Sequence, residues 1–255
     1  MEIDLDELRR YISDMYTDLA LLPRGEFHFP TGRPLLERLG YAKALLDQIP
    51  SGAMESFAGV GHHFELDPLG EGERVLDLGS GAGTDAFFAA LSVGPTGQVI
   101  GLDMTPAMLA KATGNLEASS LSNLSFQEGY AETIPFEDAS FDVVISNGVI
   151  NLCPVKSQVF SEIRRVLVPG GRLMFSDIVT GVELPDSVRE NCALWAECIG
   201  GAQEANRYLE MIADAGLTVE KHCPNSSYQF TQDSTLSAAQ NFAVHSLSIL
   251  ARKPA

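Results

Sequence analysis

The sequence predicts an α/β fold: a seven-stranded, mostly parallel sheet with helices on both faces, preceded by an N-terminal helical cap. Three observations predict it. From residue 71 onward, short apolar runs alternate with helical stretches, the rhythm of a parallel sheet with crossover helices. The first run ends in a glycine-rich turn, Asp77-Leu78-Gly79-Ser80-Gly81-Ala82-Gly83, that opens directly into a helix. The polar residues that follow the strands fall at Asp77, Asp103, 129–132 and 147–151. That is where such sheets bind ligands, outside the carboxyl ends of their strands.

The elements follow in order. Arg74-Val75-Leu76-Asp77-Leu78 reads as a short buried strand, and a helix over 84–93 closes at Gly94. A second strand spans 97–103. Thr105 then serves as N-cap and Pro106 takes the first helical position of a helix reaching about residue 118. Strands three and four cover 123–128 and 141–146. Pro154 opens a further helix that Pro169-Gly170-Gly171 ends, and the fifth strand is 172–179. Beyond it, 184–201 reads as an inserted helix ending in Gly200-Gly201. A helix over 204–215 stops at Gly216, and 217–223 and 243–253 are the last two strands. Ahead of the sheet, helices over 5–22 and 35–48 flank Phe27-His28-Phe29-Pro30. The expected organisation is a cap or lid over 1–70 and a cofactor-binding core over 71–255, with an acceptor-side insertion at 184–203.

Composition narrows the partners. The chain has 255 residues and a formal net charge of −17, which repels phosphate backbones and argues against nucleic acid. No stretch approaches the roughly 18 apolar residues of a membrane helix. The acidic start, residues 1–10, is unlike a signal peptide. A cytoplasmic protein acting on a small molecule is expected, with a homodimer left open. The cysteines are Cys153, Cys192, Cys198 and Cys223. None is spaced as C-x-x-C, so no structural zinc is expected, and a cytoplasmic setting argues against disulfides.

A strand, a glycine turn and a helix start make an adenosine-cofactor site. Glycines let the backbone approach a ligand, and a helix start offers unpaired N–H groups. Dinucleotide sites use G-x-G-x-x-G around a pyrophosphate. Here Gly79, Gly81 and Gly83 give G-x-G-x-G, with Asp77 two residues ahead. A carboxylate there repels a pyrophosphate and suits the ammonium of a methionine moiety. Asp103 is placed to accept from ribose hydroxyls, and Met104 to pack on adenine. The expected cofactor is S-adenosyl-L-methionine. Its candidate binding residues are Asp77, Gly79, Ser80, Gly81, Gly83, Asp103, Met104, Ala131, Glu132 and Asn147.

At these residues the chain resembles the Rossmann-like class I S-adenosylmethionine-dependent methyltransferases, and most closely their arsenite methyltransferase branch. The resemblance runs from about residue 50 to 215. Val75 to Gly81, Val93-Gly94-Pro95-Thr96-Gly97 and Gly101-Leu102-Asp103-Met104-Thr105 carry it first. Ser146-Asn147-Gly148-Val149-Ile150-Asn151-Leu152, Val168-Pro169-Gly170-Gly171-Arg172-Leu173 and Leu194-Trp195-Ala196-Glu197-Cys198-Ile199-Gly200-Gly201 continue it. That branch is known for three arsenic-binding cysteines. At the matching positions this chain has Val60, Gly148 and Cys198, so one of the three remains. Three thiolates suit a soft trivalent centre and one does not.

The resemblance implies a methyltransferase, and the missing thiols shift the expected acceptor to a small soft nucleophile: a thiol, sulfide or related chalcogen or metalloid compound. Such nucleophiles need little base help. An oxygen, nitrogen or carbon acceptor of a small metabolite is the alternative and needs a positioned base, and a true arsenite methyltransferase is the lesser one. His62 and His63 stand where the branch has Asn-Pro and are the candidate bases, with Cys198 as the candidate acceptor-side thiol. Each has a structural alternative, a surface histidine pair or a small buried hydrophobe. Helical spacing places Cys192, Trp195 and Ile199 on one face of the inserted helix. His28 between two phenylalanines reads as part of an aromatic lid. A nicotinamide-dependent oxidoreductase is disfavoured by the glycine spacing and by Asp77.

Overall fold

The computed structural model describes residues 4–191, 194–195, 198–230 and 240–255. Its sheet contains β1 (Arg74–Leu78), β2 (Gln98–Asp103), β3 (Leu124–Glu128), β4 (Phe141–Asn147), β5 (Leu167–Thr180), β6 (Gln203–Glu204), β7 (Thr218–Pro224) and β8 (His245–Arg252). The order is β3-β2-β1-β4-β5-β8-β7, and the short β6 pairs with the end of β5. Every pairing is parallel except those of β8, which runs antiparallel to β5 and β7. The strand order therefore reverses between β1 and β4, the switch point at which open α/β sheets bind ligands. Leu78 is in register with Leu102 on one side and Ser146 on the other. The glycine turn, Asp103 and Asn147 thus leave the sheet at one edge.

Helices α5 (Thr84–Val93), α6 (Pro106–Glu117) and α7 (Lys156–Val166) connect these strands. β1 and β4 bury nearly every residue, as a sheet covered on both faces requires. One core joins Val75, Val99, Val143 and Met174 to Phe87, Phe88 and Val93 of α5. The other joins Leu76, Leu78, Val144 and Phe175 to Phe160 and Ile163 of α7 and Tyr208.

The N-terminal segment divides in two. α1 (Leu5–Leu21) is capped by Asp4, whose Oδ1 accepts from the backbone N–H of Asp6 at 3.0 Å and Glu7 at 3.1 Å. Its Ile12 and the partly buried Tyr16 line the cleft described below. The expected helix over 35–48 is instead α2 (Gly32–Leu39) and α3 (Lys43–Leu46), followed by α4 (Ser51–Glu55). Gly40 breaks it in a left-handed cap at φ 97°. Residues from Leu35 to Leu66 share the core of α5, whereas α1 packs over the carboxyl edge.

Two further expectations change. β5 begins at Leu167, so Pro169-Gly170-Gly171 lies inside the strand rather than before it. The pairing with β4 slips there, between Phe141 and Val143, and Gly170 takes φ +78°. Gly170 N–H donates to Lys253 O, and Lys253 N–H to Gly171 O, so the irregular stretch remains hydrogen-bonded to the chain leaving β8. The inserted helix over 184–201 is not continuous either. α8 (Asp186–Arg189) is one turn, Leu194 and Trp195 are helical, and Cys198 has φ +63°, outside the right-handed helical region. Cys192 and Glu197 lie outside the described residues. Helix α9 (Ala205–Asp214) follows β6.

Candidate active site

The turn after β1 is shaped by its glycines. Gly79, Gly81 and Gly83 have φ of +76°, +53° and +96°, a region costly for residues with a Cβ. A Cβ on Gly79 would collide with Val149, and one on Gly83 would lie 2.6 Å from the Phe126 ring. A Cβ on Gly81 would meet only Met108 Sδ, at 3.9 Å. The backbone at Gly81 therefore borders open space. Gly79 and Ser80 N–H groups donate to Leu102 O at 2.7 and 3.0 Å, tying the turn to β2. Asp103 completes the tie: Oδ2 accepts from Gly81 N–H and Oδ1 from Thr105 N–H, each at 2.8 Å.

The turn opens onto a cleft of about 1060 Å³, counting the space at its mouth. All the cofactor candidates named from sequence line it except Gly83: Asp77, Gly79, Ser80, Gly81, Asp103, Met104, Ala131, Glu132 and Asn147. Gly83 sits behind it as the N-cap of α5. Arg9, Ile12 and Tyr16 of α1 also line the cleft, as do Val149, Leu152, Cys153 and Pro154 after β4. Arg9 approaches Glu132 to 3.9 Å.

The floor is acidic. Burial raises the pKa of Asp77, and the neighbouring charges of Asp85 and Asp103 raise it further. Burial also pushes Asp85 up to about 6, against the hydrogen bonds that it receives from Tyr41 and Asn147. It raises Asp103 as well, opposed by the N–H groups of Thr105 and Gly81. Asp77 Oδ2 and Ser80 Oγ are buried without a partner among the described residues. A site with unspent acceptors and buried acids fits a cationic ligand with N–H and O–H donors, as S-adenosylmethionine is. It does not fit a pyrophosphate. The described residues form no group of His, Cys, Asp or Glu able to hold a metal ion.

The histidines depart from their expected role. His62 and His63 do not line the cleft; they belong to an aromatic cluster behind it. The His62 ring lies 4.1 Å from that of Tyr41, and the His63 ring 4.3 Å from that of Phe64. His63 is fully buried, neither nitrogen has a partner among the described residues, and burial pushes its pKa down to about 3. Burial lowers His62 too, opposed by Glu65, whose Oε1 lies 3.4 Å from Nδ1. The pair is therefore neither a surface loop nor placed against an acceptor. Phe27 and Phe29 stack at 5.6 Å, and Tyr16 and Phe29 at 6.4 Å, so the aromatic segment packs under α1.

Two of the three positions that match the branch's cysteines share a cluster, and the third lies against it. Val60 and Cys198 belong to one apolar cluster with Leu152, Ile178, Trp195 and Val244, and a Cβ on Gly148 would lie 3.4 Å from Val60 Cγ1. Cys198 borders the cleft through Leu152 and Tyr16 of this cluster, without lining it. Asn147 pins the 60–61 loop. Its Oδ1 accepts from Val60 and Gly61 N–H at 2.7 and 3.2 Å, and its Nδ2 donates to Gly61 O at 3.0 Å. The segment after β4 is fixed from below. Lys156 Nζ donates to Asn151 O and Cys153 O, and Asp177 Oδ2 accepts from Asn151 N–H and from Tyr208 Oη. Trp195 Nε1 donates to Leu152 O at 3.0 Å. Sequence reading missed Asp85 and Tyr41. An acid in the first turn of a helix has an ordinary explanation in the helix dipole, so it gave no signal.

This strand order, with a glycine turn at the switch point and an acid ending β2, defines the class I S-adenosylmethionine-dependent methyltransferases. Residues 69–216 match the methyltransferase-domain family, and the chain belongs to it, with S-adenosylmethionine as its cofactor. Among relatives, the arsenite methyltransferase of Halobacterium salinarum is 40% identical over 220 residues, 86% of this chain and 56% of that protein. The chain thus spans little more than half of that relative's length. The crystal structure of an arsenic(III) S-adenosylmethionine methyltransferase from Chlamydomonas reinhardtii matches with a TM-score of 0.69 and 36% identity, covering 84% of this chain and 73% of that one. The phosphoethanolamine N-methyltransferase 2 of Haemonchus contortus, in complex with S-adenosyl-L-methionine, shares the fold at 20% identity and a TM-score of 0.63, over 88% of this chain and 60% of that one. No helix among the described residues is long and apolar enough to cross a membrane.

Proposed function

We propose that this chain transfers the methyl group of S-adenosylmethionine to a small soft nucleophile: a thiol, a sulfide or a related chalcogen or metalloid compound. One observation carries the reading. Val60 and Cys198 share an apolar cluster beside the cleft, with Gly148 against Val60, while Cys153 lines the cleft itself, so that side holds two separate thiols rather than three convergent ones. Similarity to proteins named arsenite methyltransferases supports a soft acceptor, and valine and glycine at two of that branch's three cysteine positions argue against capture of a trivalent centre by three thiolates.

When bound, the cofactor supplies an electrophilic methyl group on a sulfonium sulfur. Asp77 and Ser80 would hold its amino-acid end, Asp103 its ribose, and Met104 with Ala131 its adenine. Tyr16 and Ile12 of α1 exclude water from the mouth. A thiol that arrives ionised needs no base; the histidines lie behind the cleft, and Lys156 is buried with its protons donated to backbone carbonyls. The buried acids disfavour anionic groups on the rest of the acceptor.

Incubation with methyl-labelled cofactor and a panel of small thiols, sulfides, arsenite and selenite tests the reading. Label transfer to at least one sulfur or chalcogen acceptor is expected. Transfer to none of the panel, with cofactor binding intact, overturns it.

A further inference from the structure

Ile12 and Tyr16 of α1 face the cleft together with Val149, Leu152, Cys153 and Pro154 after β4. Behind this wall, Ile12, Tyr16 and Leu152 continue into the apolar cluster that holds Trp195 and Cys198. The wall has little polarity to offer a ligand. Burial pushes the Tyr16 hydroxyl and the Cys153 thiol up, so both stay uncharged. Cys153 Sγ donates to Val149 O at 3.6 Å, and Lys156 Nζ donates to Asn151 O and Cys153 O. Arg9 and Glu132, which also line the cleft, approach each other to 3.9 Å. Other polar groups at the cleft are committed to the protein. Ser56 Oγ donates to Leu19 O and accepts from Lys111 Nζ, and Thr84 Oγ1 donates to Ala53 O. Asn147 holds the 60–61 loop and Asp85. The buried atoms left without a partner at the cleft, Asp77 Oδ2 and Ser80 Oγ, belong to the donor side.

Such a wall compensates the desolvation of an apolar group but not that of a hydroxyl, a carboxylate or an oxyanion. The floor adds a charge argument. Asp77, Asp85 and Asp103 are buried there, and carboxylates disfavour a bound thiolate and favour a cation. An organic sulfide satisfies both conditions. Its sulfur is uncharged and has no proton to lose, in a cleft that no histidine lines. Methylation of that sulfur forms one sulfur–carbon bond and breaks the one at the donor sulfonium. The positive charge passes to the product and no proton is released. We propose that the acceptor is an uncharged organic sulfide with apolar arms, seated against Ile12, Tyr16, Val149 and Leu152. The proposal rests on the soft-nucleophile reading above and narrows it to one class.

Calorimetric titration of the protein saturated with S-adenosylhomocysteine tests the proposal. The probes are dimethyl, diethyl and dipropyl sulfide, and thiodiglycol, which is diethyl sulfide with a hydroxyl on each arm. Kd is expected to fall about three- to fourfold for each added methylene. Thiodiglycol is expected to bind at least about tenfold more weakly than diethyl sulfide. Methyl transfer from labelled cofactor is expected to follow the same order and to exceed transfer to propanethiol and 3-mercaptopropionate. Ile12→Ser is expected to reduce the gain per methylene to less than about twofold. A flat wild-type series, thiodiglycol binding as tightly as diethyl sulfide, or faster transfer to the thiols or to arsenite overturns the proposal while the soft-nucleophile reading stands. An undiminished gain in Ile12→Ser overturns the seat on this wall; should that variant fail to fold, the wild-type series decides. Transfer to no sulfur, chalcogen or metalloid acceptor, with S-adenosylhomocysteine still bound, overturns that reading and the proposal with it.

Discussion

The two walls of the cleft are built in opposite ways. The donor wall is polar and mostly local in sequence: a turn over Asp77 to Gly83, with Asp103 closing it through the Gly81 N–H. Its geometry follows from positive φ angles that glycine tolerates and from hydrogen bonds to the neighbouring strand. The opposite wall is apolar and assembled from distant segments, Ile12 and Tyr16 of α1 with Val149, Leu152 and Cys153 after β4, backed by the cluster that holds Val60 and Cys198. A family can therefore keep one methyl donor while its members differ in acceptor.

Four experiments press on this contrast, beginning with the largest effect. Gly79→Ala places a Cβ at φ +76° and against Val149. It is expected to cost about 2–4 kcal/mol of stability and about a hundredfold in S-adenosylhomocysteine affinity, read by denaturant melts and calorimetry. A fully active variant would show that the turn is less constrained than its dihedrals indicate.

The double variant Val60→Cys with Gly148→Cys sets two thiols beside Cys198. Strain at Gly148, φ +73°, costs about 1–2 kcal/mol. A gain of arsenite binding is expected, reported by the single tryptophan, Trp195, which shares the cluster with Cys198. No fluorescence response to arsenite would separate this wall from a metalloid site.

Next comes the acidity of the donor wall. Burial raises Asp85 from 3.8 to about 6, so its ionised form is the costly one in the folded protein. Its stability contribution is complete below pH 3.8 and is lost as the pH rises through about 6. A bound cation offsets that loss. The thermal stabilisation by S-adenosylhomocysteine is therefore expected to increase from about pH 5 to about pH 7, and a constant increment would contradict the charge balance described for this wall.

The smallest effect concerns the histidines behind the cleft. His63 is lowered from 6.5 to about 3, so its contribution is complete above pH 6.5 and is lost as the pH falls toward 3. His63→Phe is expected to lose stability less steeply below pH 6.5, by up to about 1.4 kcal/mol per pH unit, with methyl transfer within about twofold of wild type. A collapse of transfer with unchanged cofactor affinity would return His63 to the chemistry.

Much of the molecule was legible in its residues. Strand, turn and helix from Arg74 to Val93 were read within a residue, because glycine dihedrals, strand burial and helix starts act over a few positions. Asp103 was found because β2 must run beside β1, so its end falls level with the turn. Pro169-Gly170-Gly171 misled, since glycine and proline mark a bulge as readily as a helix end. Cys198 misled similarly: helical spacing around it was sound as arithmetic, but its φ of +63° breaks the helix.

The histidine pair marks the limit. His62-His63 in a glycine loop looked chemical, and packing against Tyr41, Phe64 and Phe88 decided otherwise. Burial belongs to the packed whole, and no property of residues 59–63 reports it. By itself the sequence determined the fold class and the donor side, whose determinants are backbone conformation and strand register. Only the tertiary structure decided that Tyr41, Asp85 and Asn147 share hydrogen bonds and that Val60 and Cys198 fall in one cluster. Contacts between such distant residues exist only once the sheet has brought their segments to one edge.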